Sequence, residues 1–190
     1  MDLTFTTELK AVNYMLSVLG EQPVASLPSD YYMATLAQAK LAEVSRAVQA
    51  RGLQCNTETD VVMSPGVDNK IAVPSNALHV DGVSPTVNIT VRGGYLYDVD
   101  NHTDQFTQSI DVDIVYLLDF ENLPEVIRQY ITIKAGREFQ RKWLGAESLD
   151  KFSEDEELRA WTNLLRYEMR HSDKLITLNT PASKILQRRV

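Results

Sequence analysis

In the stretch "TELKAVNYMLSVLG" the apolar residues Leu9, Val12, Leu16 and Leu19 recur at steps of three and four, which lines them along one side of a helix. Thr6 or Thr7 can cap its start, and Glu8 suits the positive end of the helix dipole. Gly20 can take the left-handed conformation that closes a helix, and Pro23 forbids continuation. A second helix is expected over about Tyr31 to Arg51, opened by Ser29 or Asp30 and closed by Gly52. Its stripe is Met33, Ala37, Leu41, Val44 and Val48, and alanines at 34, 37, 39, 42, 47 and 50 leave room for close helix approach.

Between Leu53 and Leu118 the period falls to two. Val87, Ile89 and Val91 alternate with Asn88, Thr90 and Arg92, and Gly93-Gly94 supplies the positive φ angles of a tight hairpin before "YLYDV". In "IDVDIVYLL" the residues Ile110, Val112 and Ile114 share one face, with Asp111 and Asp113 on the other. The helical period returns after Asn122, with Pro124 and Glu125 in the first turn, a stripe of Ile127, Ile131, Ala135, Phe139 and Trp143, and a stop at Gly145. A fourth helix is expected to open with a capping box at Ser153-Glu154-Asp155-Glu156 and to bury Leu158, Trp161, Leu165 and Met169, with Arg166, Arg170 and His171 at its end. The last residues, 172–190, show no helical period and read as an arm.

This order predicts an α+β fold: a four-helix bundle with a small antiparallel β domain inserted between helices two and three, and an extended C-terminal arm. The expected boundaries are 1–52 and 120–171 for the halves of the bundle, 53–119 for the insert and 172–190 for the arm.

Composition narrows the function classes. The chain has 190 residues, 44% of them hydrophobic, which is enough for a real core, and its single cysteine, Cys55, excludes an intrachain disulfide framework. No run approaches the ~20 apolar residues of a membrane span, and "MDLTFTTELK" has neither the basic start nor the apolar stretch of a signal peptide. A soluble product assembled in the cytoplasm without membrane insertion is expected, which makes the sequons at Asn88 and Asn101 coincidental. A net charge of −7 argues against a whole-surface grip on nucleic acid and suits a surface that DNA passes without being held.

Catalytic and metal chemistry finds little footing. His79, His102 and His171 are far apart and at no ligand spacing. "DVDNHTDQFTQS" places Asp98, Asp100 and Asp104 as a calcium loop would, but Thr103 stands where that loop needs glycine and Ser109 where it needs glutamate. Cys55 has no nearby histidine to activate it, no Gly-x-Ser-x-Gly elbow occurs, and Gly93-Gly94 precedes no helix that could cradle phosphate. Asp111 and Asp113 read as a solvated strand face. No catalytic, cofactor-binding or metal-ligating residue is therefore assigned, and no cofactor is expected. One stripe stays open: Lys134, Arg137 and Arg141 at i, i+3 and i+7 on the third helix. It is either a solvated face paired with the acidic start of the fourth helix or a docking line for an acidic neighbouring protein.

Four blocks taken together carry a family resemblance: "ELKAVNYMLSVLGEQPVASL" from Glu8, "QARG" from Gln49, "VRGGYLYD" from Val91 and "LPEVIRQYITIKAGREFQRKWLGA" from Leu123. In order and spacing the sequence resembles the tail tubular protein A family of short-tailed bacteriophages. It departs from that family after the second helix, where Leu53 and Cys55 stand in place of aromatic residues. The resemblance implies a structural virion protein, a head-to-tail adaptor forming a dodecameric ring between the portal and the tail nozzle, through which DNA is ejected. The competing class is a tail-associated enzyme degrading envelope polysaccharide or peptidoglycan, for which no facing pair of carboxylates stands out. A DNA-binding regulator is disfavoured by the net charge and by the lack of a reading helix.

Overall fold

The computed structural model describes residues 6–84, 87–144 and 147–171. The expected arm and the stop at Gly145 lie outside these residues. The described residues form helices α1 (Glu8–Val18), α2 (Tyr32–Gln49), α3 (Glu125–Leu144) and α4 (Glu147–His171). Strands β1 (Thr57–Met63), β2 (Ala77–Gly82), β3 (Ile89–Arg92), β4 (Tyr95–Asp98) and β5 (Ile110–Tyr116) come between α2 and α3, as the α+β reading expects. The chain separates into two compact units, one from the residues up to Ser45 together with those from Leu123 onward, the other Arg46–Asn122.

In the helical unit α1 starts where its sequence says it should, with the Thr7 side chain accepting from the Lys10 amide at 3.2 Å. Its end is a Schellman turn. Gly20 takes φ +77, its amide bonds the Ser17 carbonyl, and the Glu21 amide reaches back to Leu16, both at 3.0 Å. The chain then doubles back and is held by Asn13, whose side-chain amide donates to the Val24 carbonyl at 2.9 Å and accepts from the Val24 amide at 2.8 Å. One side chain thereby satisfies both polar groups of a loop residue. The core consists of Ala11, Val12, Met15 and Leu16 from α1, Ala34, Ala37, Leu41 and Val44 from α2, and Ile127, Ile131, Ala135 and Phe139 from α3. Leu9 and Leu19 are only half-buried, so the inner face of α1 is turned toward Met15. Tyr14 lies across α3 at Gly136, where an added Cβ would stand 2.8 Å from the tyrosine ring.

Helix α4 corrects two expectations. It begins at Glu147, so Ser153–Glu156 is helix interior and not a cap. Its inner side carries the fully buried Leu164 and the half-buried Trp161, whose ring lies 5.2 Å from that of Tyr130, while Leu158, Leu165 and Met169 are exposed. The apolar spacing misleads because α3 presents charged Lys134 and Arg137 to α4, and α4 answers with Glu157 instead of another leucine. Trp143, expected in the core, is 44% exposed and packs edge-on against Phe139.

The β unit contains an antiparallel sheet of order β1-β5-β2 and the separate hairpin β3-β4. Gly93 and Gly94 take φ +58 and +82 at the hairpin tip, the two positive values that a primed turn requires. The inward faces meet in a cluster of Ile71, Val80, Leu96, Phe106, Val112 and Ile114. A bulge in β1 puts Asp60 at φ +57, and its amide is held by the Asp113 carboxylate at 3.1 Å. Where β5 ends, Gln49 donates to the Leu118 carbonyl at 3.0 Å and accepts from the Leu118 amide at 2.8 Å. Buried Asn56 donates to the carbonyls of Gln49 and Tyr116 and accepts from the Leu53 amide.

Candidate functional site

The basic stripe lies on the side of α3 that faces α4. Lys134 reaches Glu157 at 3.2 Å and Glu138 at 3.6 Å, and Arg137 reaches Glu157 at 2.9 Å and Glu154 at 3.5 Å. Glu138 in turn meets Lys40 of α2 at 3.1 Å, so a chain of alternating charges links three helices of the unit. The Lys134, Arg137 and Glu157 side chains retain only 20%, 15% and 17% of their exposure, which shields these pairs more than an ordinary surface pair. Burial alone would raise the Glu157 carboxyl, but hydrogen bonds from Arg137 and Lys134 outweigh it and hold the carboxyl below its usual value. Lys134 and Arg137 therefore share one cluster with Glu157, and Arg141, one turn further along, is exposed. The sequence carries a signal for this pairing: Glu154 and Glu157 repeat the i, i+3 spacing of Lys134 and Arg137.

A groove of about 380 Å³ runs between α1, α3 and α4, lined among others by Tyr14, Gln129, Glu156, Arg159 and Asn163. It borders a second of about 270 Å³ that shares Tyr14, Gln129 and Ile133. The Tyr14 hydroxyl donates to Glu156 at 3.4 Å, and burial followed by the Glu156 charge pushes its pKa up. Glu156 is the one carboxylate among the described residues of this lining. The groove was not legible in the sequence, because its walls come from three helices that only the fold brings together.

In the β unit the calcium-like loop satisfies itself. Asp98 accepts from the Asn101 side chain and amide and from the Asp100 amide, bonds that hold its carboxyl below the usual value. Asp104 pairs with Lys70 at 2.6 Å. Among the described residues no group of three or more histidine, cysteine or acidic side chains is placed to hold a metal ion. The outward face of the three-stranded sheet is acidic: exposed Asp81 stands directly across from Asp113, with exposed Asp60 and Asp111 beside them. Like charges set opposite each other cost stability, which the bonds from the Asp60 amide to Asp113 and from the Gly82 amide to Asp81 offset in part.

Residues 9–174 match the family described as tail tubular protein. The chain belongs to this family. It is also 31% identical over 141 residues to the tail tubular protein A of Klebsiella phage KP34, an alignment that covers 74% of this chain and 75% of that protein. As a tail tubular protein the chain is a structural component of a bacteriophage tail. The matched span takes in both units, including the Asn13 and Gln49 clasps, the Gly93-Gly94 turn and the charge chain on α3. No helix among the described residues is long and apolar enough to cross a membrane.

Proposed function

We propose that this tail tubular protein is a head-to-tail adaptor, assembled in the host cytoplasm as a homododecameric ring that joins the portal to the tail nozzle and forms part of the DNA ejection conduit. The observation that carries this reading is the family match across residues 9–174, which runs through the helical unit and the β unit alike. The net charge of −7 and the acidic row on the sheet support passage of DNA over a grip on it, because like charge repels the phosphate backbone. In this reading Lys134 and Arg137 act by fixing α4 to α3, and docking to an acidic neighbour falls to exposed Arg141 at the end of the line.

The protein acts as a structural element and not as an enzyme. A glycosidase needs two facing carboxylates, and the groove at Tyr14 offers Glu156 alone among its described lining residues. The test is electron microscopy of the purified chain mixed with isolated portal rings. A ring of the chain stacked on the portal is expected, and portals that stay bare at saturating protein would overturn the adaptor reading. Turnover of envelope glycan that vanished in Glu156→Gln would replace it with the enzymatic one.

A further inference from the structure

Helix α4 is packed through one side, and among the described residues its most apolar line stays exposed. Leu158, Leu165 and Met169 are 61%, 41% and 56% exposed, and their spacing of i, i+7 and i+11 sets them in a row about 16 Å long. Single exposed leucines are ordinary, whereas three in register on one face mark an interaction surface. Helical geometry puts Arg159, Arg166 and Arg170 along one edge of the row and Glu154 along the other. Antiparallel pairing of two such faces would set the arginine edges against each other, which disfavours that pairing of α4 with its own copy.

Among the described residues of the same unit a second helix face is exposed. On α2, Tyr32 is 68% exposed, Thr35, Ala39 and Ala42 are exposed, and the Glu43 side chain keeps 70% of its exposure at the edge. Tyr32 to Glu43 covers twelve residues, the same length as Leu158 to Met169. One face carries bulky apolar side chains with an arginine edge. The other is a shallow shelf with an aromatic ring at one end and, at its rim, the Glu43 carboxylate, which Lys40 meets at 3.0 Å and which stays 70% exposed. We infer that α4 of one copy docks on the outer face of α2 in the next copy, burying Leu158, Leu165 and Met169 over Ala39 and Ala42, with the arginine edge toward Glu43. A contact between two different surfaces of the same chain repeats from copy to copy and closes into a ring when the rotation allows. The inference rests on the ring reading and names the surfaces that form the ring.

The test uses the full chain with Cys55→Ser as background. Ala39→Cys and Leu165→Cys, combined in one chain and oxidised on portal rings, are expected to give a ladder of covalent multimers, and either substitution alone none. Leu158→Ser with Leu165→Ser is expected to keep the helical spectrum and unfolding midpoint, because Leu164 holds the inner side, while ring yield falls by about tenfold or more. Normal ring yield in the serine variant would overturn the inference, as would a double-cysteine chain that stays uncrosslinked while microscopy shows rings; both results leave the ring itself standing. Native protein that forms no ring on portals would overturn the ring reading and this contact with it.

Discussion

Gly136 shows how a single missing methyl can set a helix packing. On propensity alone Gly136→Ala should stabilise α3 by about 1 kcal/mol. The new Cβ would however stand 2.8 Å from a ring carbon of Tyr14, inside any tolerable contact. The expected net result is a loss of about 1–3 kcal/mol from overpacking, read from the denaturant midpoint. In a Tyr14→Ala background the same substitution should become stabilising. A loss that persisted without the Tyr14 ring would show that the glycine is kept for another reason.

At the scale of elements, two devices can be tested separately. Gly93→Val puts a β-branched residue at φ +58 with nothing within 4 Å of its Cβ, so its cost is conformational and not a clash. It should unsettle the β3-β4 hairpin and leave the helices intact, seen as amide exchange rising in β3 and β4 but not in α1 or α3. The α3-α4 clasp and the Thr6–Glu125 contact at the start of α3 should both respond to acid. Burial pushes Glu125 and Glu157 up, but hydrogen bonds from Thr6 to the first and from Arg137 and Lys134 to the second leave both below their usual 4.5. Their contribution is therefore complete above about pH 5 and is lost as pH falls through the lowered folded values. Glu157→Gln should flatten the acid end of the Tm profile and lower Tm at neutral pH. Much of this architecture was legible: α1 with its stop, the double-glycine hairpin and the alternation of β5 all rest on local periods and turn residues. The inner side of α4 was not, because its packing on α3 is specified by charges and an aromatic pair that a count of apolar residues passes over. The Asn13, Gln49 and Asn56 amide contacts were invisible for another reason: each joins a side chain to a backbone group whose position depends on the fold.

At the scale of the molecule, one set of substitutions separates holding α4 from docking a neighbour. Reversing Lys134 and Arg137 to glutamate would set two new carboxylates against Glu154 and Glu157, and the variant should lose about 2–4 kcal/mol of stability. Arg141→Glu alone should leave the unfolding midpoint within about 0.5 kcal/mol of the native chain yet reduce binding to portal rings, measured by sedimentation. Equal portal binding in that variant would remove Arg141 from the interface. The amide clasps bear on how freely the sequence can vary. Asn13 and Gln49 recognise the N–H and C=O of Val24 and Leu118, groups that every amino acid except proline supplies. A saturation library scored for phage viability should therefore show the clasping positions nearly closed to replacement and the clasped ones open to most residues. Proline should be the exception at Val24 and Leu118, rejected at both because it alone has no N–H to offer.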